Sequence, residues 1–419
     1  MLGAACGSAL SGPLMVVLGP RITLIIGIPL TFITWVILTT TPIIPLLLTA
    51  RLLQGIAMGV MSLAASLFVV EVAHKDIRGP LSASLDMSRN LGVLIMFGVG
   101  ASKIWWRYQA VIVGLLTTVP NFILLMFMKN SPRWLAAKGK FKEAFSSLSF
   151  YRGASYDIEE EYSNIEEIAT KDAKNNSGLI GQFRFMIQPR VGRLVICCIL
   201  YALATQLTGT FAVIAYAVPI MKDAVPSMNP YLGTVLVGVM RTSGGIFFMS
   251  TSSKLGRAVT YFTSSMTCAI SLLLVGLHMY FYSLSMMPEW TWWIPIVGIL
   301  VFTASVAVAI PVAGLHVGEL LPLNCRALAY GIIDIVFYGS AFVISVSFPY
   351  LRNSLHTYGV FWLYATCSFI FAFLPLCLPE TLGKHLEDIE KSLLNNEKKD
   401  VNTYGSITGN DLKKQISYQ

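Results

Sequence analysis

The chain has 419 residues, of which 55% are hydrophobic and only 12% are charged. Soluble globular domains carry about 25% charged residues, so this composition excludes an ordinary soluble enzyme or binding domain. The formal net charge is +8, but the basic residues lie in loops and form no single stripe with interleaved aromatic residues. That distribution argues against a nucleic-acid partner. A lipid bilayer is the partner that the composition favours.

Apolar stretches, taken in chain order, predict eleven membrane-spanning helices. A spanning helix needs about 20 mostly apolar residues, because the hydrocarbon core is about 30 Å thick and each helical residue rises about 1.5 Å. Unpaired backbone groups are costly in lipid, so segments of this length and polarity should be helical. The predicted spans are residues 2–18, 22–41, 44–70, 80–101, 106–128, 191–217, 231–252, 258–280, 291–318, 327–349 and 358–378. The predicted fold class is an all-α membrane protein.

The longest polar segment, residues 129–190, divides the predicted spans into two groups. Residues 1–128 hold five spans, residues 191–378 hold six, and residues 379–419 form a polar tail. Basic residues concentrate in the 129–190 segment and in the tail, which predicts that both lie on the cytoplasmic side. Within the segment, the run DIEEEYSNIEEIA at 157–169 predicts a short amphipathic helix.

A repeat of charged residues supports the division into two halves. Glu71 and Arg78 are seven residues apart at the end of one predicted span, and Glu319 and Arg326 have the same spacing at the matching point of the second half. Such a repeat is typical of transporters built from two parallel bundles. Equal halves would have six spans each, so we expect the first helix of a twelve-helix arrangement to be absent from this chain.

Several short motifs occur in one order along nearly the whole chain. They are RLLQG at 51–55, Glu71 through Arg78-Gly79, SPRWL at 131–135, QLTG at 206–209, GELLP at 318–322 with Arg326, and PETLG at 379–383. With these motifs the chain resembles the sugar porters of the major facilitator superfamily, and within them the insect trehalose and glucose facilitators. The resemblance implies two helical bundles that move a hexose or trehalose across the plasma membrane by alternating access, with no cofactor and no metal.

The resemblance also implies a gate of charged residues at the cytoplasmic helix ends. Charge-assisted contacts between neighbouring helices there can hold the inner face closed. Each charge taken singly is equally well explained as a solvated helix end. The candidate gate residues are Glu71, Arg78, Arg133, Glu319, Arg326 and Glu380. Arg51 is a candidate for coupling, because proton-driven relatives place an acid of the first helix near the corresponding arginine.

The candidate sugar site departs from the family pattern. Family members present a pair of glutamines, of which this chain keeps Gln206 and has Thr205 in the other place. Phe211 and Phe337 stand where the family has asparagines, and Asp86 stands where it has a glutamine. A neutral sugar needs uncharged donors and acceptors to replace the water around its hydroxyls, and much of that set is missing.

Charged residues replace part of this set of uncharged donors and acceptors. Arg241 and Asp334 lie within predicted spans, and charges at membrane depth are functional candidates because they are costly to bury. One interpretation is that Arg241 pairs with Asp334, and Asp86 with Arg89, for structural reasons. The other is that Arg241 or Asp86 contacts a substrate less neutral than glucose. Gln206, Thr205, Arg241, Asp86 and Asp334 are therefore the candidate substrate-binding residues.

These observations favour a facilitative sugar transporter whose partner is a small solute. Two alternatives stay open: a transporter of a charged or non-sugar solute, and a transport-inactive paralogue that senses sugar. An enzyme has the least support, because paired carboxylates, a nucleophile with a base, a metal cluster or a phosphate loop do not occur at workable spacing. The oligomeric state stays open.

Overall fold

A computed structural model describes residues 1–74, 77–102, 104–153, 156–174, 178–226, 228–252, 254–321 and 325–381. Regular secondary structure in these ranges is helical throughout, as the composition predicts. The predicted tail, 379–419, is described only as far as Thr381, and its remainder lies outside these ranges.

The helices follow one another with short connections. The first bundle contains α1 (Leu2–Leu18), α2 (Pro20–Thr40), α3 (Ile44–Val72), α4 (Arg78–Ala101) and α5 (Trp106–Phe127). Four short helices come next: α6 (Pro132–Ala137), α7 (Phe141–Arg152), α8 (Glu159–Lys174) and α9 (Gly178–Met186). The second bundle contains α10 (Pro189–Leu207), α11 (Thr210–Ala215), α12 (Ala217–Ala224), α13 (Pro230–Thr251), α14 (Arg257–Ser283), α15 (Trp293–Leu320) and α16 (Arg326–Ala372).

Eight helical segments within the described ranges are long and apolar enough to cross a membrane. They are Pro20–Thr40, Ile44–Val72, Trp106–Phe127, Val191–Ala215, Pro230–Thr251, Arg257–Ser283, Trp290–Leu320 and Leu328–Leu376. The last of these covers two predicted spans, because two helical stretches of α16 meet at a kink at His356, whose φ of 57° is not helical. Helix α1 is shorter, and α4 carries charged residues along its length. The number of spans therefore stays a prediction.

The predicted span at 191–217 matches the candidate span Val191–Ala215, and this segment is interrupted within its length. Helix α10 ends at Leu207, and Gly209 adopts a φ of 78°, a left-handed conformation that glycine adopts readily. A Cβ on Gly209 would lie 2.2 Å from the ring of Tyr364 on α16. The chain thus breaks because glycine both permits the turn and lets α16 approach it.

Each bundle packs through its own helices, and two helix pairs make most of the contacts between the bundles. In the first bundle α3 contacts α1 and α2, and in the second α14 contacts α15 and α16. Across the interface, α4 packs on α13 and α1 packs on α16. Small residues permit the closest approaches: a Cβ on Gly59 would lie 2.2 Å from the carbonyl oxygen of Ala4, as expected where helices associate in lipid.

Helices α6 to α8 form a small domain of their own at one end of the bundles. Their apolar faces meet in a cluster of Leu135, Ala136, Ala144, Leu148 and Ile165. The helix predicted at 157–169 corresponds to α8.

An arginine ties this domain together and joins it to the first bundle. Arg152 on α7 donates to both carboxylate oxygens of Glu161 on α8, at 2.7 and 2.8 Å, and to the carbonyl of Val72 at the end of α3, at 2.9 Å. The hydrogen bonds from Arg152 lower the pKa of the Glu161 carboxyl. We call this end of the molecule the loop side and the opposite end the far side.

Candidate functional site

On the loop side of the second bundle, Glu319 is held by an ion pair and a hydroxyl. The Arg257 Nη2 and Nε atoms lie 3.2 and 3.3 Å from the two carboxylate oxygens, and the Thr381 hydroxyl donates at 2.6 Å. Arg257 also donates to the carbonyl of Ser252. Sequence analysis did not assign Arg257 to the gate, although this residue follows Gly256 and directly precedes the predicted span 258–280. The side chain of the predicted partner, Arg326, lies outside the described part of the molecule.

Glu380, another candidate gate residue, binds the start of α14. Its carboxylate oxygens accept hydrogen bonds from the backbone N–H groups of Arg257 at 2.8 Å and Ala258 at 3.1 Å. The first N–H groups of a helix have no partner within the helix, and a carboxylate there also meets the positive end of the helix dipole. Glu380 therefore anchors the segment after α16 onto α14.

On the loop side of the first bundle, Glu71 has a different environment. The polar groups that act on its carboxylate are the Ser131 hydroxyl and the Arg133 guanidinium, both at the start of α6. Its Oε2 atom is buried and has no hydrogen-bond partner among the residues described. Arg21, at the start of α2, turns elsewhere and donates to the carbonyls of Leu125 at 3.1 Å and Met126 at 3.2 Å. The Arg78 side chain falls outside the described part.

Four charged residues from three helices meet where the bundles join. Asp86 and Arg89 on α4 form an ion pair at 2.7 Å, as the i, i+3 spacing predicts. Arg241 on α13 interacts electrostatically with Asp86, and Asp334 on α16 with Arg89. The charges thus follow one another as Asp334, Arg89, Asp86 and Arg241, alternating in sign. We call this set the charge chain.

The predicted ion pair between Arg241 and Asp334 is therefore wrong. Helix α4 packs directly on α13 and carries its own ion pair. Asp334 acts with Arg89, and Arg241 acts with Asp86 and Arg89. The sequence placed Arg241 and Asp334 in predicted spans but could not show that each would act with the charges of α4.

Gln206 and Thr205 lie beside the break between α10 and α11. The Thr205 hydroxyl donates to the carbonyl of Ala202 at 2.7 Å and is satisfied within its own helix. Gln206 is 1% exposed, and its Oε1 atom is buried without a hydrogen-bond partner in the described structure. Its Nε2 atom lies 3.5 Å from the Thr205 hydroxyl, at the limit of a hydrogen bond. The side-chain hydrogen bond of Gln206 within the described residues goes to Thr205 and to no residue of the charge chain.

Two aromatic rings stand near this break. Phe211 on α11 meets Phe337 on α16 edge to face, with ring centroids 6.0 Å apart, and Phe337 also contacts Tyr338 at 5.2 Å. The two positions where a sugar porter would offer amides therefore form one apolar contact.

Arg51, the candidate for coupling, lies on α3 and is exposed. Its Nη1 atom donates to Gln54 at 3.0 Å, and its guanidinium lies 5.8 Å from the ring centroid of Trp35. The structure thus gives Arg51 a neutral amide and an aromatic ring as neighbours.

On the far side, Asp223 joins the end of α12 to the bend in α16. Its carboxylate accepts from the Arg352 Nε and Nη2 atoms at 2.9 and 2.8 Å and from the Thr357 hydroxyl at 2.7 Å. We call these three residues the far-side clamp. The clamp borders a cavity of about 490 Å³ between α12, α14 and α16. Sequence analysis missed it, because an aspartate and an arginine in separate loops carry no spacing signal.

The fold matches solved transporters of the major facilitator superfamily. The structure titled as the proton:xylose symporter XylE bound to 6-bromo-6-deoxy-D-glucose aligns with a TM-score of 0.74 at 23% identity, covering 93% of this chain and 87% of that chain. The inward open conformation of the xylose transporter XylE from E. coli aligns with a TM-score of 0.72 at 21% identity, covering 93% and 86%. The protein is a multi-pass membrane protein with the fold of this superfamily.

The sequence narrows this class to one family. Residues 1–393 match the family described as Sugar (and other) transporter, and the chain belongs to it. The facilitated trehalose transporter Tret1 of Apis mellifera ligustica is 30% identical over 397 residues, which cover 93% of this chain and 77% of the bee protein. The protein of the same name from Culex quinquefasciatus is 27% identical over 394 residues, covering 94% and 75%.

Proposed function

We propose that this protein carries a sugar across the plasma membrane by alternating access, with α6 to α9 and the segment after α16 in the cytoplasm. The two bundles meet through α4 on α13 and α1 on α16, an arrangement that allows one bundle to rock against the other. Membership of the sugar transporter family supports the substrate class.

The break between α10 and α11 is the observation that carries this proposal. Transporters bind solutes where a membrane helix is interrupted, because the interruption frees polar groups at membrane depth. Here the break at Gly209 adjoins Gln206, whose Oε1 acceptor is buried and unpaired. A sugar hydroxyl that donates to this oxygen would satisfy it.

The loop-side network supplies the gate in this proposal. Arg257, Glu319, Glu380 and Thr381 tie α14, α15 and the segment after α16 to one another. A state that faces the far side would keep this network closed, and a state that faces the cytoplasm would loosen the contacts around it. Hexoses and trehalose are the proposed substrates, since the relatives are named facilitated trehalose transporters.

Uptake by the full chain in liposomes tests transport. We expect radiolabelled glucose or trehalose to enter with saturation, to reach the outside concentration without accumulating, and to be indifferent to a proton ionophore. Gln206→Leu should raise the half-saturation concentration at least fivefold, whereas Gln188→Leu, at an exposed position before α10, should not change it. Uptake of these sugars no faster than into empty liposomes would overturn the proposal.

Thiol labelling in intact cells tests the orientation. A cysteine at exposed Glu160 on α8 should react with an impermeant maleimide only after permeabilisation, and one at Met286 on the far side should react before it, both above the wild-type background. The reverse pattern would contradict the proposed cytoplasmic loop side.

A further inference from the structure

Some hydrogen-bonding groups of the charge chain have partners and others do not, and Arg241 is the clearest example of the latter. The Nε and Nη1 atoms of Arg241 are buried and have no hydrogen-bond partner among the described residues. A buried guanidinium without acceptors is costly, because its donors have left water and gained no replacement. Arg241 therefore requires an acceptor that the described protein groups do not supply.

The neighbouring carboxylate cannot meet this requirement alone. Asp86 is bonded to Arg89 at 2.7 Å, and Arg89 repels Arg241 while Asp86 attracts it. The Asp86–Arg89 pair therefore presents a nearly neutral surface to Arg241 and offers it only a share of one negative charge.

The opposite end of the charge chain has the complementary need. Asp334 interacts with Arg89 through its charge and makes no hydrogen bond with any side chain in the described ranges. Two tyrosines, Tyr330 and Tyr338, lie close enough to interact with it electrostatically. The Tyr338 hydroxyl, however, points to the Ser62 hydroxyl at 3.5 Å. A carboxylate in this position can accept several donors from a ligand.

A single ligand can satisfy both ends if it carries an anionic acceptor and several hydroxyls. A carboxylate gives Arg241 a charge and up to four acceptor positions, and hydroxyl groups donate to Asp334. A phosphate fits less well, because its second negative charge would lie near Asp86 and Asp334. A neutral sugar supplies the hydroxyls but leaves the Arg241 charge without a counter-ion.

We propose that the charge chain binds a hydroxylated carboxylate of the sugar-acid class, with its carboxylate on Arg241 and its hydroxyls toward Asp334. This proposal rests on the proposed transport function, since it names the substrate class of that same interface between the bundles. Arg241 is then the residue that sets specificity for an anion.

Binding and uptake by the full chain test this assignment. In detergent, glucuronate should raise the unfolding temperature at concentrations at least tenfold below those needed by glucuronamide, its uncharged amide, or by glucose. This comparison uses only the wild-type protein and so does not depend on the folding of a variant. In liposomes, unlabelled glucuronate should compete with any transported sugar at similarly low concentrations.

Substitution of Arg241 tests the residue itself. Arg241→Gln should weaken glucuronate binding at least tenfold, and Arg241→Lys should retain part of the binding. Arg184→Gln, an exposed arginine on α9, is the matched control and should bind glucuronate like the wild type.

The outcomes separate the two proposals. If glucose or trehalose enters the liposomes while glucuronate neither binds nor competes, the sugar-acid proposal is wrong and the transport function stands. If glucuronate binds in an Arg241-dependent way but no solute enters, the binding site stands and the transport function fails. Equal binding of glucuronate and glucuronamide would overturn the role of the carboxylate.

Discussion

The loop-side ends of the two bundles carry the same sequence repeat but form different hydrogen-bond networks. In both halves an acid lies near the end of a long helix, Glu71 on α3 and Glu319 on α15, and a hydroxyl from the segment after the last helix acts on it. The arginines differ. Arg257 bonds Glu319, whereas Arg21, which begins the matching helix, bonds backbone carbonyls at the end of α5. The repeat thus places the acid and the hydroxyl, but the arginine that begins the second helix of each half has a different partner in the two halves.

This difference should be visible in stability. The side chains of Arg257 and Glu319 are 10% and 22% exposed, so removing one partner leaves the other poorly solvated. Glu71 has no comparable ion pair with Arg21, and its neighbours come from α6. The second bundle should therefore depend on its acid far more than the first.

The largest effect is expected from Glu319→Gln. We expect a loss of roughly 2–3 kcal/mol, below the roughly 3–5 kcal/mol of a fully buried pair because both side chains retain some exposure. Glu71→Gln, the matched change in the first bundle, should cost less than about 1 kcal/mol. Unfolding temperatures of the two variants in detergent provide the measurement.

A double variant sharpens this prediction. Arg257→Gln with Glu319→Gln should recover part of the loss of each single variant, because neither charge is then left alone. Arg21→Gln with Glu71→Gln should be additive. If the two pairs of substitutions showed equal coupling energies, the proposed difference between the two halves would be wrong.

A smaller effect is expected from Glu380→Ala, which removes the carboxylate that binds the start of α14. Loss of a helix cap typically costs about 0.5–2 kcal/mol. The change should also free the segment after α16, so a protease should cut near Thr381 faster than in the wild type. Glu143→Ala on α7, an exposed acid that pairs with Lys140, is the control and should leave cleavage unchanged.

The hydroxyls that both halves share should give similar, still smaller losses. Thr381→Val removes a hydrogen bond to Glu319, and Ser131→Ala removes the group that acts on Glu71 and also accepts from the Trp134 N–H. Each should cost about 0.5–1.5 kcal/mol. Unfolding temperatures that differ widely between these two variants would show that the shared hydroxyl is not equivalent in the two halves.

The smallest effect concerns pH and the small domain of α6 to α8. Bonding to Arg152 lowers the pKa of Glu161, so the stabilisation is complete above the ordinary carboxyl pKa of 4.5 and is lost as pH falls through the lowered folded value. The protection of the α8 amides against hydrogen exchange, taken relative to their intrinsic exchange rates at each pH, should therefore fall in acid, and Glu161→Gln should remove this dependence. An unchanged acid response in that variant would assign it to another group.

The helical fold could be predicted from the sequence because the length of an apolar stretch decides whether it must form a membrane helix. Residues 44–70 and 106–128 were long and apolar enough to require helices, and α3 and α5 lie there. The Asp86–Arg89 pair was predictable because it lies within one helix. The Gly209 break was not, since QLTG within an apolar run reads as continuous helix until Tyr364 is known to lie against the glycine.

Contacts between helices explain the remaining differences from prediction. The pairing of Glu319 with Arg257 joins residues 62 positions apart, and the far-side clamp joins residues 129 and 134 positions apart. The Arg241–Asp334 prediction failed because each of these residues acts with charges of α4 instead. Local spacing carries no information about which helices meet.

The segment formed by α11 and α12 is attached to α16 at both of its ends. Gly209 lies against the Tyr364 ring at its start, and Asp223 is bonded to Arg352 and Thr357 at its end. Tyr364 and Thr357 both lie in the part of α16 that follows the kink at His356, so α11, α12 and that part of α16 should move together. Loosening only the far attachment, as in Asp223→Asn, should then change how fast the carrier turns over while leaving the affinity beside Gln206 intact.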